Sequence, residues 1–199
     1  MIRKPIFVLA GPTLSGKTTL LDYIVQLKKA EKVVTITTRP MRPGEVDGID
    51  YMFITNEQFL AMRNAGEIIA SRSYVVEGGA VWYYGIEAAS LDEYKNPIVI
   101  TDLEGIKDLM SEFGAKNVYV FSLEIQEETQ MKRLEKRAEA NKGEQLRRVY
   151  ADKDAFAKIK NWSDLTLQAE GDLHENAVEI INVMGKLTDR HNQGIRVLN

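Results

Sequence analysis

The chain has no cysteine among its 199 residues. Without thiols it forms no disulfide bond and binds no metal ion through thiolates. Its two histidines, His174 and His191, lack the spacing of a metal-ligand pair, and we expect both to be surface or structural residues. Long apolar runs are also missing, because none approaches the roughly 18 residues that span a membrane. These absences exclude the disulfide-rich, thiolate-metal and membrane-spanning classes of protein.

A strong net charge is absent too, since 26 basic and 29 acidic residues leave a formal charge of −3. This balance gives no overall nucleic-acid signature, so any positive site must be local. The hydrophobic fraction of 44% is typical of a globular protein, either one domain with inserts or two small domains. Because Met1 leads almost directly into an apolar strand, we expect no signal peptide, a cytoplasmic location, and no membrane or nucleic-acid partner. Both a monomer and a homodimer are compatible with the sequence.

A glycine-rich loop near the N-terminus is the strongest chemical signal in the chain. Residues 11–18 follow the pattern Gly, four residues, Gly-Lys-Thr of phosphate-binding loops. A buried strand is predicted before the loop at 5–10 and an amphipathic helix after it at 19–29, which is the order that such a loop needs. An ordinary tight turn is the alternative, but a turn alone does not require both Lys17 and Thr18. In a phosphate-binding loop, Lys17 would reach the β- and γ-phosphates and the Thr18 hydroxyl would bind Mg²⁺. The sequence therefore predicts that ATP phosphates are held by Gly11, Pro12, Thr13, Leu14, Ser15, Gly16, Lys17, Thr18 and Thr19.

A second loop, residues 39–51, carries two arginines among two prolines and two glycines. One interpretation is a charged surface loop, which needs no function. The other is a second phosphate site at Arg39 and Arg42, because guanidinium groups match phosphate oxygens in bidentate geometry. The phosphate-binding loop upstream favours the second interpretation, since a kinase must hold an acceptor as well as a donor.

The part of the chain from about residue 32 to residue 84 is rich in predicted strands. The β-branched residues 32–38 read as one strand, and the segments 67–76 and 80–84 read as a hairpin. Between them, Asn56 is the predicted cap of a short helix. The sequence therefore predicts an inserted subdomain that is mostly antiparallel β, unlike the α/β pattern on either side.

A carboxylate, Asp102, follows the predicted buried strand 97–101. Ligands of open α/β sheets bind at the carboxyl ends of the strands, so Asp102 is a candidate Mg²⁺ ligand, directly or through water. It is equally placed to cap the predicted helix 103–113, and it can serve both purposes.

Four arginines flank a polar joint between two predicted helices at about 126–140 and 144–160; they are Arg133, Arg137, Arg147 and Arg148. Arginines facing a transferring phosphoryl group would neutralise the charge of the transition state. The alternative is a solvated helix stabilised by pairs such as Glu128–Lys132.

These motifs together resemble the guanylate kinase family of nucleoside monophosphate kinases. The sequence TTRPMRPGEVDGIDY at 37–51 is similar to the acceptor-phosphate loop of that family almost residue for residue. The segments 83–85 (YYG) and 133–135 (RLE) also match, and the likeness extends from Ile6 to about Met184.

The resemblance implies a P-loop three-layer α/β sandwich with a central parallel sheet, a mostly antiparallel β insert that binds the acceptor, and a helical lid. Within a single domain, the core would comprise 1–32, 95–130 and 160–188, the insert 33–94, and the lid about 131–159.

The resemblance also implies transfer of the ATP γ-phosphoryl group to a nucleoside monophosphate, GMP or dGMP, with Mg²⁺ as cofactor. The acceptor site would comprise Thr35, Arg39, Arg42, Tyr51, Ala70, Tyr84 and Ile86. The moving phosphoryl group would be stabilised by Lys17, Arg133, Arg137 and Arg148. Mg²⁺ would be served by Thr18 and Asp102.

The base-reading positions depart from the family pattern. A guanine-binding Glu is replaced by Ala70, a Ser or Thr by Ile86, and a further carboxylate by Ile100. Neither Glu67 nor Glu87 has the strand register to replace the missing carboxylate, while Glu77 in the hairpin turn would do so only if the turn folds inward. We therefore hypothesise a phosphate-competent kinase with weak or altered base specificity.

Two alternative functions follow from the same residues. The first is a P-loop kinase for another small phosphorylated acceptor, such as a non-guanine nucleotide or a sugar phosphate, which Ala70 and Ile86 favour. The second is a non-catalytic guanylate-kinase-like binding module. The phosphate-binding loop at 11–18, called the donor loop below, is intact and disfavours this alternative.

Overall fold

The computed structural model describes residues 4–76, 78–136, 146, 149–150 and 156–193. Strands and helices alternate along most of this length, as expected for an α/β protein. In chain order the elements are β1 Ile6–Ala10, α1 Lys17–Gln26, β2 Glu31–Lys32, β3 Ile36–Thr37, β4 Met52–Phe53, α2 Asn56–Asn64, β5 Ile68–Val75, β6 Val81–Glu87, α3 Ala88–Glu93, β7 Pro97–Ile100, α4 Leu103–Phe113, β8 Val118–Glu124, α5 Glu127–Glu135, β9 Leu165–Gln168 and α6 Leu173–Asn192.

The larger sheet is parallel throughout, with the strand order β2-β7-β1-β8-β9. Strand β1 lies at its centre and is buried on both faces, so its residues are apolar without alternation. Val8 contributes to the core beneath α4, whereas Phe7 contributes to the opposite core with α1 and α6. This arrangement is the predicted three-layer sandwich with a central parallel sheet.

The smaller sheet has the order β4-β3-β6-β5, with two antiparallel pairings and one parallel pairing. Helix α2 packs on it through Phe59, which is fully buried and stacks on Tyr83. A Cβ at Gly85 would overlap Ile68 Cγ2 and lie 3.2 Å from the Phe59 ring, so a residue without a side chain is needed there. This sheet supplies one wall of the site described below.

The prediction of one strand at 32–38 is wrong, because the two sheets share this segment. Strand β2 pairs with β7 in the parallel sheet, and the Val33 N–H still donates to the Ile98 carbonyl at 2.9 Å. From Thr35 onwards the chain belongs to the smaller sheet, where the Thr35 carbonyl accepts from Met52 N–H at 2.9 Å. A run of β-branched residues indicates extended backbone but does not say which sheet the backbone joins.

The cap of α2 is Thr55 rather than Asn56. The Thr55 hydroxyl accepts from Gln58 N–H at 3.2 Å, and the Gln58 side chain accepts from Thr55 N–H at 2.9 Å. This reciprocal pair is a capping box, which satisfies two N–H groups and places Asn56 inside the helix.

The C-terminal third agrees with the predicted order of elements where it is described. Helix α5 lies within the predicted helix at 126–140. Most of the second predicted helix at 144–160 lies outside the described residues, and so do Arg137, Arg147 and Arg148. Across the described part of the chain, none of the helices has the length and apolar character to cross a membrane.

Candidate active site

The glycine-rich loop at 11–18 connects β1 to α1 and has the backbone of an anion site. Leu14 and Gly16 both have positive φ, 69° and 91°, and the Ser15 N–H closes a turn on the Pro12 carbonyl at 3.1 Å. Helix α1 then begins at Lys17 without a side-chain cap, so its first N–H groups point out of the helix end. Alternating left-handed and right-handed backbone next to a helix N-terminus makes a concave set of donors for phosphate oxygens.

Two further features of this donor loop suit a phosphate group. A Cβ at Gly11 would lie 2.8 Å from Ser15 Oγ, so the loop closes tightly only because residue 11 has no side chain. Ser15 is 3% exposed, and its hydroxyl has no hydrogen-bond partner within the described residues. The Lys17 ammonium lies over the loop, where it donates to the carbonyls of Gly11 at 2.6 Å and Pro12 at 2.8 Å.

Helix α5 holds the donor loop from the other side. Gln130 donates to the Thr13 carbonyl at 2.7 Å. Arg133 donates to the carbonyls of Leu14 at 3.0 Å and Ala169 at 2.9 Å, and it lines a cavity of about 420 Å³ beside Gly16. Of the three arginines predicted to act with Lys17, Arg133 is therefore brought to the donor loop, and the other two lie outside the described residues.

The arginine loop at 39–51 places one of its two guanidinium groups in the interior. Arg39 is 4% exposed and pairs with Glu45 at 2.7 Å. Its guanidinium carbon lies 5.4 Å from the centre of the Tyr51 ring and 5.6 Å from that of Phe53, a cation–π arrangement on two sides. The guanidinium also donates to the Pro40 carbonyl at 2.7 Å, so its direction is fixed by the loop itself.

Glu45 organises the loop around Arg39. One carboxylate oxygen accepts from the Arg39 guanidinium, and the other accepts from the Arg42 N–H at 2.7 Å. Burial acts to raise the pKa of Glu45, but the hydrogen bonds from Arg39 and the Arg42 backbone, with the charges of both arginines, outweigh burial and lower the pKa below 4.5. Glu45 is therefore ionised at neutral pH and fixes the direction of Arg39.

A cavity of about 260 Å³ brings the donor loop and the smaller sheet together. We call it the acceptor cavity. Of the residues predicted for the site, those that line it are Gly11, Thr13, Lys17, Thr35, Tyr51, Ala70, Tyr84, Ile86 and Asp102. Arg39 lies behind the ring of Tyr51, while Thr18 and Thr19 are exposed on the first turn of α1.

Asp102 caps α4, which was one of its two predicted roles. It accepts from Gly105 N–H at 2.8 Å and from the Tyr74 hydroxyl at 3.2 Å. The described residues contain no group of three carboxylate or histidine side chains able to hold a metal ion. Binding of Mg²⁺ by Thr18 and Asp102 stays a prediction, in which substrate phosphates would supply most of the ligands.

One end of the acceptor cavity is apolar. Ala70 is 8% exposed and Ile86 2% exposed, and both line it together with Ile100. Ala70 has a φ of 50°, at an irregularity in the pairing of β5 with β6 between Ile69 and Arg72. Of the three glutamates considered as substitutes, Glu67 is exposed and Glu87, at the N-cap position of α3, does not line the cavity, while Glu77 lies outside the described residues.

Among the residues of the cavity that the sequence did not point to are Arg72 and Tyr74. They alternate with Ala70 along β5, and Arg72 lies directly opposite Tyr84 in the register of β5 with β6. Opposite residues of an antiparallel pair share a face of the sheet. The spacing of two residues from Ala70 to Arg72 and to Tyr74 is therefore a signal in the sequence. It identifies these residues only when the register of the hairpin is known.

The fold and the site together define a P-loop kinase of small phosphorylated acceptors. A central parallel sheet carries the donor loop, and across a shared cavity lie residues of a second sheet and Tyr51 at the end of the arginine loop, while Arg39 and Arg42 do not line this cavity. The chain also matches the family model described as guanylate kinase over residues 3–184. It therefore belongs to the guanylate kinase family.

Individual relatives agree with this assignment. A guanylate kinase 2, chloroplastic/mitochondrial, from Oryza sativa subsp. japonica is 31% identical over 183 residues, which are 87% of this chain and 61% of the rice protein. The guanylate kinase of Bifidobacterium longum is 33% identical over 190 residues, 91% of this chain and 93% of that protein. A crystal structure of guanylate kinase from Anaplasma phagocytophilum shares the fold with a TM-score of 0.64 at 24% identity, covering 94% of this chain and 88% of the other.

Proposed function

We propose that the protein transfers the γ-phosphoryl group of ATP to GMP, giving ADP and GDP. The observation that carries this proposal is the acceptor cavity, in which Lys17 of the donor loop and Tyr51 and Tyr84 of the smaller sheet line the same space. Kinases of this class catalyse transfer by positioning donor and acceptor and by neutralising charge, with no covalent intermediate on the protein. Guanine is the base that membership of the guanylate kinase family favours.

The residues of the donor side would bind the ATP phosphates. The N–H groups at residues 14–18 would cradle the β- and γ-phosphates, with Lys17 turning from its two loop carbonyls to their oxygens. Arg133 lies beside this loop and would neutralise charge that develops on the transferred group. Arg137 and Arg148 are proposed for the same task on the family resemblance alone.

The residues of the acceptor side would hold the phosphate of GMP. Arg39 is already oriented by Glu45, and the buried Tyr84 hydroxyl has no hydrogen-bond partner within the described residues. Arg42, Tyr51 and Thr35 would complete this subsite. A phosphate oxygen that accepts from Tyr84 would remove the cost of leaving a buried hydroxyl unpaired.

Mg²⁺ would be held by the Thr18 hydroxyl and by Asp102, both hard oxygen ligands of the kind that this ion prefers. When bound, the ion would neutralise charge on the β- and γ-phosphates. Since Asp102 already accepts hydrogen bonds from Gly105 and Tyr74, it would serve the ion through water.

The division of the chain is part of the proposal. The core, at 1–32, 95–130 and 160–188, would carry the donor loop, the insert at 33–94 would bind the acceptor, and the lid at about 131–159 would cover both. A cytoplasmic location and the absence of membrane and nucleic-acid partners stay predictions from the sequence.

The test is release of ADP from ATP and Mg²⁺ with a panel of acceptors, namely GMP, dGMP, AMP, CMP, UMP and ribose 5-phosphate. We expect turnover with GMP and dGMP well above that with the sugar phosphate. Binding of ATP without turnover of any acceptor would contradict the proposal and would leave a binding module as the better description.

A further inference from the structure

The wall of the acceptor cavity contains an arginine that the phosphate chemistry does not use. Arg72 projects from β5, and its Nη1 donates to its neighbour's carbonyl, Ser71 O, at 2.7 Å and pairs with Asp108 at 2.8 Å. Its Nε and Nη2 are buried and have no hydrogen-bond partner within the described residues. The nearest carboxylate oxygen to Nε, on Asp102, is 3.6 Å away, an ion-pair distance that is too long for a hydrogen bond.

Unpaired buried donors carry a free-energy cost, so they indicate a ligand that supplies acceptors. Nε and Nη2 lie along the same edge of the planar guanidinium group, where one N–H bond of each points in the same direction, as a two-pronged fork. Asp108 and the Ser71 carbonyl hold the opposite side of the group, so the fork is fixed before a ligand arrives. The matching ligand presents two adjacent acceptor atoms in one plane.

The surroundings of Arg72 suit a purine ring. Ala70, Ile86 and Ile100 offer apolar surface to the faces of a flat ring, while Arg72 supplies donors to its edge. Tyr84 lies directly across the strand pair from Arg72, and Tyr51 lies next to Tyr84 on the side of Arg39. A nucleotide with its phosphate towards Arg39 would therefore place its base at the Arg72 end.

We propose that Arg72 reads the guanine base of the acceptor through its O6 and N7 atoms. This proposal rests on the proposed function and names how the same site selects its base. An arginine fork on O6 and N7 is a common way for proteins to recognise guanine, because no other purine of the standard set offers two acceptors there. A carboxylate would instead read the N1–H and 2-amino donors. Ala70 and Ile86 offer no such group, and Asp102, a carboxylate that lines the cavity, already accepts from Gly105 N–H and the Tyr74 hydroxyl.

This geometry predicts an unusual order of acceptors. Inosine monophosphate keeps O6 and N7 and lacks only the 2-amino group, so we expect its kcat/KM to lie within about threefold of that of GMP, since no partner is left unpaired. The 7-deaza analogue of GMP loses N7, and AMP replaces O6 by an amino group. For both, kcat/KM should fall by about 10- to 100-fold. These measurements need only the unmodified protein.

The variant that isolates the fork is Arg72→Lys, which keeps a cation near Asp102 and Asp108 but removes the parallel donors. It should lower kcat/KM about 10-fold or more for GMP and for inosine monophosphate, and leave AMP unchanged. The ratio of GMP to AMP would therefore collapse, whereas damage to the fold would lower all acceptors together. Lys107→Ala is the control, since it removes a nearby charge that pairs with Glu104 outside the cavity.

The outcomes separate this proposal from the proposed function. A preference of more than about 30-fold for GMP over inosine monophosphate would show that the 2-amino edge is read, and would overturn the role of Arg72. A preference for CMP, whose O2 and N3 are also adjacent acceptors, would overturn the guanine assignment. If no acceptor is turned over, calorimetric binding of GMP and its 7-deaza analogue decides, because equal affinities or no binding would overturn the proposal.

Discussion

In the proposed function, the donor loop and the apolar, Arg72-containing end of the acceptor cavity (the base end) would bind parts of nucleotides by different means. The donor loop would bind with backbone, since Leu14 and Gly16 have positive φ and α1 begins there without a side-chain cap. The base end would bind with side chains, and Arg72 is placed there by an irregular strand and by its pairing with Asp108. A backbone site needs a fixed local pattern, whereas a side-chain site depends on which distant residues the fold brings together.

This difference explains why one end of the site agrees with the family pattern and the other departs from it. Phosphate is the same group in every nucleotide, so its cradle is tied to glycine, lysine and threonine at fixed spacing. The base is the variable part of the ligand, and single substitutions on β5 or β6 change the atoms that meet it.

Removal of the charge at the donor loop should have the largest effect. Lys17→Ala leaves the N–H groups of the loop in place but removes the cation that would stabilise the γ-phosphoryl group during its transfer. We expect kcat to fall by about 10²- to 10³-fold, the range for loss of one transition-state donor, with little change in GMP affinity. Steady-state ADP release and GMP calorimetry measure the two quantities.

The control for this variant is Lys29→Ala, an exposed lysine beyond the C-terminus of α1. Its kcat should equal that of the unmodified protein. Retained transfer in Lys17→Ala would refute the assignment of residues 11–18 as the phosphate donor site.

An arginine-to-lysine change in the arginine loop at 39–51 should act on KM for GMP, whereas the change at Lys17 acts on kcat. Arg39→Lys can still pair with Glu45 but loses the two-pronged contact with phosphate. We expect KM for GMP to rise roughly 10- to 100-fold, while KM for ATP stays the same. Arg63→Lys is the matched control, because Arg63 stacks on Tyr83 outside the acceptor cavity. An increase in KM for ATP as large as that for GMP would show that the two phosphate sites are not separate.

The same contrast decides how much of the molecule could be predicted from its sequence. Helix α4 with both ends and the cap at Asp102 follow from short-range patterns and are confirmed. The three layers, which the family resemblance implied, are confirmed as well. The donor loop belongs with the short-range patterns, since its shape is set within eight residues.

Features that depend on long-range pairing were harder to predict. The segment 32–38 was assigned to one strand because its composition is uniform, although the hydrogen bonds of two different sheets divide it. Arg72 was missed for a similar reason, since an irregularity near Ala70 sets which side chains of β5 meet Tyr84. The register of a hairpin with a bulge is not contained in the alternation of its residues.

A methyl group at Gly85 tests whether the smaller sheet positions the acceptor side. Gly85→Ala would push on Ile68 and on the ring of Phe59, so we expect a loss of about 1–3 kcal/mol in the free energy of unfolding. KM for GMP should rise as well, because Gly85 lines the acceptor cavity. Gly185→Ala on α6 is the control, since no atom lies within 4 Å of its added methyl group. Equal stability of the two variants in urea unfolding would contradict the packing described for β6.

The smallest effect is expected from a change at Glu45, the carboxylate that orients Arg39. It should appear in the pH dependence of the free energy of unfolding. Because the folded state lowers the pKa of Glu45 below 4.5, its ionised form stabilises the fold at neutral pH. That contribution is complete above the pKa of the unfolded chain and is lost as the pH falls through the lower pKa of the folded protein. Glu45→Gln should therefore be less stable by about 1 kcal/mol at pH 7, and the difference should shrink as the pH falls below 4.5. Urea unfolding at several pH values measures it, and a difference that grows in acid would show that the pKa of Glu45 is raised rather than lowered.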